Sequence, residues 1–393
     1  MARIPFNRPT LTGNELAYIQ DAVTSGRISG NGAYTRRCEA LLERKFSARR
    51  VLLTTSCTDA LELASLLIGF DAGDEVIVPS YTFVSTVNAF VLRGATPVFV
   101  EIRADTKNID ERLIEEKITR RTRAIFAVHY GGVGAEMDTI NAIASRHGLI
   151  VVEDAAQGIN ASYRGRYLGT HGAFGCYSFH DTKNVTCGEG GALVINDPQY
   201  IDRAEVLREK GTDRLRFSRG EVDKYTWQDI GSSFVLSEVL AAFLLAQLEH
   251  LDEVTAARRR IYDRYADAFA DLAQEGFVEM PVIPPDREGN FHMFPLVLRS
   301  QQQRDDLIRY LKDLDTIAIF HYVPLHSSPM GQRLGYRVGD LPLTEDISRR
   351  LVRLPLYNEM DTATQDVVIG QVRRYAQLAR SATDRPPLVG ESR

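Results

Sequence analysis

The chain has 393 residues, of which 44% are hydrophobic and 25% are charged, and its formal net charge at pH 7 is −5. This composition is ordinary for a globular protein, and the small negative charge gives no reason to expect nucleic acid or an anionic membrane as a partner. No apolar run reaches the roughly 18 residues of a membrane span, and the four cysteines lack the spacing of a zinc or disulfide scaffold, so a cytoplasmic protein without a metal site is expected.

The first part of the chain alternates between short apolar strands and helical patterns. Strands are predicted from runs of β-branched and other apolar residues at 51–55, 74–78, 96–102, 123–129 and 149–153. Helical spacing is kept by two sets of apolar residues between these strands: Ala60, Leu63, Ala64 and Leu67, and Ile140, Ile143 and Ala144. The alternation predicts an α/β fold with a mainly parallel sheet and helices on both faces. Ligands of such sheets bind beyond the carboxyl ends of the strands.

The first candidate site follows the strand at 51–55, in the segment TTSCTDALELA. Ser56 and Asp59 fit a capping box, so a helix is expected to begin near Thr58. The free amides and the dipole of a helix start attract anions, which makes a phosphate site plausible. The structural alternative is a capped helix with no ligand.

The second candidate site lies where the strand at 149–153 ends, in LIVVEDAAQG. Glu153 or Asp154 could hold Mg²⁺, as in nucleotide hydrolases, but the chain lacks the GxxxxGK[ST] loop that would accompany it. A carboxylate here could instead keep a ring nitrogen protonated, and Gln157 could donate to a neighbouring ring oxygen. A helix cap without a ligand is again the structural alternative.

The third candidate is Lys183, one of seven lysines in the chain. It lies at a glycine-rich turn, in SFHDTKNVTCGEGGAL, shortly after the predicted strand AFGCYSFH. Burial would lower the pKa of this amine and make it a nucleophile toward carbonyl groups, although a solvated surface lysine is the alternative for this residue by itself. A phosphate site, an acid for a pyridinium nitrogen and a nucleophilic amine are together what pyridoxal phosphate requires. We therefore predict this cofactor.

After about residue 235 the pattern changes to one long helix, LSEVLAAFLLAQLEHLDEVTAARRRIYDRYADAFADLA, which would bridge two domains. The segments FHMFPLVLR, QRDDLIRYLKDLD and IAIFHYVPLH then predict a strand, a helix and a strand. We predict a large domain at 1–250 that includes an N-terminal arm, a small α+β domain at 251–380 and a disordered tail at 381–393.

Four segments resemble the sugar aminotransferases of the DegT/DnrJ/EryC1/StrS family: PSYTFVSTVNAF, VVEDAAQG, SFHDTKNVTCGEGGAL and HYVPLH. The resemblance covers about residues 4–378 and implies a fold-type I, pyridoxal phosphate-dependent transferase. Within the family, three segments look most like the dTDP-4-amino-4,6-dideoxygalactose transaminases: SGRISGNGAYTRRCEALLE, SCTDALELA and DKYTWQDIGSSFVLSEVLAA. Those enzymes make a precursor of bacterial cell-surface polysaccharide.

The resemblance implies roles for the polar residues at the candidate sites. Lys183 matches the lysine that links covalently to the cofactor. Asp154 matches the residue that pairs with the pyridine nitrogen, and Gln157 matches the contact to the phenolic oxygen. These roles agree with the chemistry expected from the residue types alone.

Further cofactor contacts are implied by the same resemblance. Ser178 matches a phosphate ligand, and Cys57 and Thr58 match the backbone amides at the helix start. Phe83 stands where the family places an aromatic ring on the cofactor, with plain core packing as the structural alternative. Ser233 stands where most of the family has an asparagine that crosses the dimer interface to the partner's phosphate. This departure is typical of the dideoxygalactose branch, but the shorter serine puts the cross-subunit phosphate ligand in doubt.

Substrate contacts are expected from three further segments. Tyr322 and His326, in IFHYVPLH, match the family's substrate-contact region, although a histidine at a strand end is often structural. Lys224 and Tyr225, in DKYTWQ, would reach the nucleotide from the partner subunit. Lys210 is a further basic candidate for the diphosphate.

The implied reaction is a ping-pong transamination by a homodimer with shared active sites. L-Glutamate would leave as 2-oxoglutarate, and the cofactor would remain as pyridoxamine phosphate. The amine would then pass to C4 of dTDP-4-keto-6-deoxyglucose, with Lys183 as the acid and base. The alternatives are another keto sugar acceptor, either a C3 ketone or a UDP- or GDP-linked sugar, and a non-catalytic regulator that binds the cofactor.

Overall fold

The computed structural model describes residues 3–383 of the chain. Its α-helices are α1 (Glu15–Thr24), α2 (Ala33–Phe46), α3 (Cys57–Ile68), α4 (Val84–Val91), α5 (Met137–His147), α6 (Ile201–Arg208), α7 (Arg214–Ser218), α8 (Glu238–Glu249), α9 (Leu251–Gln274), α10 (Gln301–Asp313), α11 (Pro329–Arg333), α12 (Pro342–Arg350) and α13 (Thr362–Thr383). Its strands are β1 (Arg50–Thr54), β2 (Glu75–Pro79), β3 (Thr96–Val100), β4 (Thr122–Val128), β5 (Ile150–Asp154), β6 (Ser162–Tyr163), β7 (Arg166–Tyr167), β8 (Phe174–Ser178), β9 (Gly191–Ile195), β10 (Val278–Glu279), β11 (Arg287–Glu288), β12 (Phe294–Leu298), β13 (Ile319–Phe320) and β14 (Leu351–Leu354). None of these helices combines the length and the apolar character needed to cross a bilayer.

A seven-stranded sheet forms the centre of the larger part of the molecule. Its strand order is β1-β9-β8-β5-β4-β2-β3, and β9 alone runs against the other six. Helices cover both of its faces, so the predicted α/β fold with a mainly parallel sheet is confirmed. The carboxyl ends of six strands therefore meet at one edge, where ligands of such folds bind.

The five strands predicted from sequence correspond to β1–β5, with boundaries shifted by no more than two residues. Consecutive residues of β1 point to opposite faces of the sheet, as strand geometry requires. Leu52 packs into the core under α3 and α4, whereas Val51 and Leu53 pack into the core under α2 and α8. Both faces of the strand are buried, which explains its continuous apolar run.

A second, four-stranded antiparallel sheet has the order β10-β12-β14-β13 and its own hydrophobic core, with α9, α10 and α13 packed on it. The predicted long helix is two helices, because His250, at φ −109° and ψ 18°, separates α8 from α9. Leu251 and Val254 of α9 pack in the core of the first sheet, and Ile261 and Tyr265 pack in the second. Helix α9 thus bridges the two cores, and the domain boundary at residue 250 stays a prediction.

The segment predicted as a strand around residue 320 is mostly irregular. Only Ile319 and Phe320 pair with β14, and the following residues run past Pro324, which has no amide hydrogen to donate to a ladder.

The two ends of the chain differ from the predicted boundaries. The N-terminal arm, assigned to the larger domain, packs against the second core: Ile4 is buried there and exchanges backbone hydrogen bonds with Asp315 and Ile317. The predicted tail at 381–393 begins inside α13, which ends at Thr383, and residues 384–393 lie outside the described part of the chain.

Candidate active site

A cavity of about 420 Å³ lies at the carboxyl edge of the main sheet. Its walls come from the loops after β1, β2, β5 and β8 on one side and from β13 and β14 of the second sheet on the other. Its volume falls in the range of roughly 300–1,000 Å³ that is typical of small-molecule sites. Lys183, Asp154 and the start of α3 all line it, so the three separately predicted motifs meet in one place.

The start of α3 is built as its sequence predicts. The Ser56 hydroxyl accepts a hydrogen bond of 3.0 Å from the Asp59 amide and so caps the helix. The Cys57 and Thr58 amides point from the first turn and have no acceptor in the described chain. Gly191 packs directly on this turn, and a Cβ atom there would collide with the peptide between Ser56 and Cys57. The site therefore offers unused backbone donors of the kind that bind phosphate.

The thiol of Cys57 does not act as a second nucleophile in this cavity. Cys57 is buried, and burial raises the pKa of its thiol well above the usual value. A protonated thiol is a poor nucleophile, so the role of Cys57 is limited to its amide and to packing.

Lys183 lies in the loop between β8 and β9, which is held in place by backbone hydrogen bonds. Its amide donates to the His180 carbonyl at 2.9 Å, and the Asp181 amide donates to the Gly188 carbonyl at 3.0 Å across the loop. The side-chain amine has no hydrogen-bond or ion-pair partner within residues 3–383 and lines the cavity. Burial lowers the pKa of Lys183 below its usual value, against the opposing charge of Asp154. The structure thus places an unengaged and activated amine in the cavity.

Asp154 ends β5 and presents its carboxylate to the same cavity. Its Oδ2 accepts a hydrogen bond of 2.6 Å from the Thr86 hydroxyl, and its Oδ1 accepts one of 3.1 Å from the Ala156 amide. A carboxylate offers about four acceptor positions, so two positions are still open toward the cavity. Thr86 was not identified from the sequence, because its contact with Asp154 spans 68 residues.

The neighbouring acid, Glu153, points to the opposite side of β5 and is fully buried. Its carboxylate accepts hydrogen bonds from the ring of His129 at 2.8 Å and from three backbone amides, those of Gly169, His171 and Gly172. These donors lower the pKa of Glu153 despite its burial. We call this group the Glu153 cluster. Because its oxygens accept four hydrogen bonds inside the chain, Glu153 has no acceptor position left for a metal ion.

Gln157 and Tyr322 form one wall of the cavity together. The Gln157 side chain accepts from the Gly131 amide at 2.7 Å and donates to the Tyr322 hydroxyl at 2.9 Å. Phe83 caps the start of α4, is 57% exposed and lies 6.3 Å from the Tyr322 ring, centroid to centroid. Phe83 lines the cavity rather than the core, so the alternative of plain core packing is wrong.

Ser178 ends β8 opposite Gly191 and lines the cavity close to the start of α3. Its hydroxyl accepts a long hydrogen bond of 3.4 Å from the His180 amide. The hydroxyl proton has no acceptor in the described chain, so Ser178 can still donate to a ligand.

His326 does not line this cavity, which corrects its assignment as a substrate contact. It is fully buried, its Nδ1 lies 2.7 Å from the Ser80 hydroxyl and its Nε2 lies 3.0 Å from the Glu345 carboxylate. With both ring nitrogens engaged inside the protein, the structural alternative holds. His321 occupies the cavity wall instead, with its Nδ1 3.0 Å from the Tyr130 hydroxyl.

Four other predicted residues lie outside the cavity of their own chain. Ser233 and Lys210 line a separate polar cavity of about 260 Å³, together with Arg27 and Arg214. Lys224 and Tyr225 are exposed, and the Tyr225 ring packs against Phe217. None of these four residues reaches the Lys183 cavity within one chain, and the role of Ser233, Lys224 and Tyr225 across a dimer interface stays a prediction.

Besides His321, sequence reasoning missed Arg353, His292 and Phe6. Arg353 projects into the cavity from β14, His292 lies beside it, and Phe6 of the N-terminal arm packs its ring on the Arg353 guanidinium at 4.8 Å. The only available signal was the arginine itself, a charged residue inside the apolar strand LVRL. Its position at the cavity depends on the packing of the second sheet on the first.

The chain is similar to known proteins along most of its length. A model of the DegT/DnrJ/EryC1/StrS aminotransferase family matches residues 9–373. The spore coat polysaccharide biosynthesis protein SpsC of Bacillus subtilis is 34% identical over 378 residues, which cover 94% of this chain and 96% of that protein. The "pleiotropic regulatory protein" of Geobacillus stearothermophilus is 34% identical over 346 residues, 88% of this chain and 90% of that protein. The crystal structure of DesV from S. venezuelae is 33% identical, covers 96% of this chain and 99% of its own, and has a TM-score of 0.87.

Proposed function

The chain belongs to the DegT/DnrJ/EryC1/StrS aminotransferase family, and from this premise we propose that it transfers an amino group from L-glutamate to a nucleotide-linked 4-keto-6-deoxy sugar. The observation that carries the proposal is the meeting of three groups in one cavity: the unengaged Lys183 amine, the Asp154 carboxylate and the free amides at the start of α3. Pyridoxal phosphate chemistry needs all three groups. Within residues 3–383, each of them keeps hydrogen-bonding capacity that no other residue occupies.

Pyridoxal phosphate, the cofactor implied by this family, fits the residues present. The Cys57 and Thr58 amides and the hydroxyl of Ser178 would hold its phosphate. Asp154 would hold its ring nitrogen, and Gln157 would lie at its phenolic oxygen. When bound, the cofactor supplies an aldehyde that takes up amino groups and a ring that accepts electrons.

Lys183 would supply both the covalent anchor and the proton transfers. Burial favours its neutral amine, which is the nucleophilic form. Once displaced by the donor, the Nζ atom would take the proton from the α-carbon of glutamate and return one in the second half of the reaction. The Asp154 carboxylate is held in place by hydrogen bonds from the Thr86 hydroxyl and the Ala156 amide.

Gln157 and Phe83 would orient the ring between the two walls of the cavity. The Gln157 amide is fixed by its bonds to Gly131 and Tyr322, and Phe83 sits beside Tyr322 at the cavity rim. Tyr322 would also face the sugar. This arrangement would hold a flat ligand in one plane. A fixed plane is required because the amino group passes between two substrates at one carbon of the cofactor.

The narrower assignment is dTDP-4-keto-6-deoxyglucose as acceptor and dTDP-4-amino-4,6-dideoxygalactose as product. It is supported by the resemblance of the segments that contain Ser56 and Ser233 to that branch of the family. The relation to SpsC, named for polysaccharide biosynthesis, is compatible with it. Ser233, Lys210, Lys224 and Tyr225 would then contribute to the partner subunit's cavity in a homodimer, since they are turned away from their own.

The decisive experiment incubates the purified holoenzyme with dTDP-4-keto-6-deoxyglucose and L-glutamate. We expect an amino-sugar nucleotide and an equivalent of 2-oxoglutarate, detected by mass spectrometry. UDP- and GDP-linked sugars and a C3 ketone serve as competing acceptors. A product from one of those and none from the dTDP sugar would overturn the narrow assignment but keep the aminotransferase.

A regulator that binds the cofactor without turnover is the second candidate, and the name of the Geobacillus relative is the observation that favours it. Such a protein would show the absorbance of the bound cofactor, which disappears on borohydride reduction, but would convert no acceptor. The absence of glutamate-dependent spectral change in the holoprotein would select this candidate.

A further inference from the structure

Arg353 is a half-buried cation at the cavity, and neither the fold nor the proposed cofactor contacts account for it. It lies in β14, which pairs with β12 on one side and β13 on the other. The residues on both sides of it, Val352 and Leu354, are fully buried. A lone arginine in the middle of such an apolar strand is costly unless its charge is used.

The contacts of Arg353 leave most of its guanidinium unused. Its Nη2 donates to the Phe320 carbonyl at 3.2 Å, and its charged end stacks on the Phe6 ring. Its Nε atom is inaccessible to solvent and has no acceptor. An arginine carries five donors, and no carboxylate within residues 3–383 lies at ion-pair distance from this one.

Three arginines that are more buried than Arg353 have acceptors inside the chain, and one of them, Arg258, donates to three backbone carbonyls and to the Asn358 side chain without an ion pair. Arg208 forms an ion pair with Glu39 at 2.8 Å, and Arg287 forms ion pairs with Glu136 and Asp286. Removing one partner of a buried pair is strongly unfavourable, so an unpaired guanidinium at a cavity indicates that the missing anion arrives with a ligand.

The start of α3 provides a separate anion site on the opposite wall of the cavity, formed by the first sheet. Arg353 belongs to the second sheet, so the cavity has two sites for negative groups rather than one. If the phosphate of the cofactor occupies the first, the second is left for a substrate.

We propose that Arg353 binds a carboxylate of the amino donor, and that it makes the site selective for amino acids over amines that lack a carboxylate. The inference rests on the proposed function. A planar carboxylate matches the fork of a guanidinium, which can donate two parallel hydrogen bonds to it. Nη1 and Nη2 form such an edge: Nη1 makes no hydrogen bond within residues 3–383, and Nη2 keeps a second hydrogen beside the one donated to Phe320.

The position of Arg353 favours a carboxylate over the diphosphate of the sugar nucleotide. The α-carboxylate of an amino acid is one bond from the carbon that Lys183 deprotonates, so its binding group must lie within the same cavity, as Arg353 does. The diphosphate is separated from C4 by the sugar ring, and the basic residues expected to bind it, Lys210 and Lys224, lie outside this cavity. His292 and His321 cannot replace the arginine as cations, because burial lowers the pKa of both imidazoles well below the usual value.

The test measures the two half-reactions separately in the Arg353→Met variant. We expect the rate constant kcat/KM of the cofactor-loaded enzyme for L-glutamate to fall about 100-fold, which is the loss of one or two charged hydrogen bonds. The reaction of the pyridoxamine form with the keto sugar should change less than about threefold, since no sugar contact is removed. Calorimetric titration with glutarate, which needs no turnover, should show binding to the wild-type holoenzyme and its loss in the variant.

Two further variants keep the result interpretable. Arg353→Lys keeps the charge without the fork and should lose about tenfold in the glutamate half-reaction, which also serves if the methionine variant does not fold. Arg309→Met removes an exposed arginine of α10, which packs on the same sheet that contains Arg353. Arg309 pairs with Asp306, and this variant should leave both half-reactions unchanged.

Unchanged glutamate kinetics and unchanged glutarate binding in Arg353→Met would overturn the proposal. A loss confined to the sugar half-reaction would also overturn it and assign Arg353 to the acceptor. If wild-type protein bound glutarate through Arg353 but showed no half-reaction with glutamate, the proposed function would fail while the carboxylate site stood.

Discussion

Two polar regions on opposite faces of β5 differ in how fully their groups are engaged. In the Glu153 cluster, a buried carboxylate accepts hydrogen bonds from an imidazole and three backbone amides. In the cavity, Asp154 accepts two hydrogen bonds, and the Lys183 amine makes none within residues 3–383. Arg353 uses one of its five donors. A buried polar group with all its partners inside the chain serves the fold, whereas one with unused capacity is available to a ligand.

This difference predicts where substitutions act on activity and where they act on stability. The largest effect is expected for Lys183→Ala, which should lower the transamination rate at least about 1,000-fold, because the anchor and the proton carrier are lost together. The free energy of unfolding should change by less than about 1 kcal/mol, since the amine has no partner to lose. Rate assays and urea titrations measure the two quantities, with the exposed Lys312→Ala as the control. A Lys183→Ala variant that is substantially unfolded would contradict this difference between the cavity and the Glu153 cluster.

The adjacent acids on β5 offer a matched pair for the second prediction. Glu153→Gln should destabilise the fold by about 3 kcal/mol, because an amide group meets donors that need a carboxylate. Asp154→Asn should cost less than about 1 kcal/mol but lower activity about 100-fold, as the negative partner of the ring nitrogen disappears. Thermal unfolding and kinetics on both proteins decide the matter. Equal losses of stability would show that the two faces of β5 are not distinct.

His326 tests whether the contacts of its ring with Ser80 and Glu345 serve the fold, as those of the Glu153 cluster do. His326→Ala removes two buried hydrogen bonds and should destabilise the protein by about 1–3 kcal/mol. The KM for the sugar nucleotide should stay within about threefold, because the ring is sealed from the cavity. Steady-state kinetics with the acceptor varied provide the check. A large rise in KM with unchanged stability would restore His326 as a substrate contact.

The pH dependence of stability gives the smallest effect. The folded pKa of Glu153 lies below its usual value near 4.5, so its contribution is fully present above pH 4.5 and is lost as the pH falls below it. Glu153→Gln has no such group, so its free energy of unfolding should fall less steeply than that of the wild type as the pH drops below about 4.5. Unfolding titrations across this range compare the two slopes. Parallel curves would mean that Glu153 does not carry the acid sensitivity.

Much of the fold and part of the site could be predicted from the sequence, because both rest on local patterns. The continuous apolar runs of β1–β5 and the Ser56 cap are written in adjacent residues. Lys183 and Asp154 were identified by their place after strands, and the parallel sheet brings strand ends together whatever lies between them.

The missed features depend on contacts between distant segments. Glu345 closes on His326 only once α12 has packed, and no local signal distinguishes that histidine from one in a site. Arg353 is informative because it has no carboxylate partner within residues 3–383, which can be known only when every surrounding residue is in place. The break at His250 also follows from packing, since α8 and α9 together read as one helical pattern.

Helix α9 has a consequence for how the molecule comes apart. Its first turns are anchored in the core of the main sheet and its later turns in the core of the second. Neither core can unfold without exposing apolar side chains of α9, and the same helix also packs in the other core. Heat should therefore dismantle both halves in a single cooperative step, and the cavity between them should vanish at the same temperature as the strands that frame it.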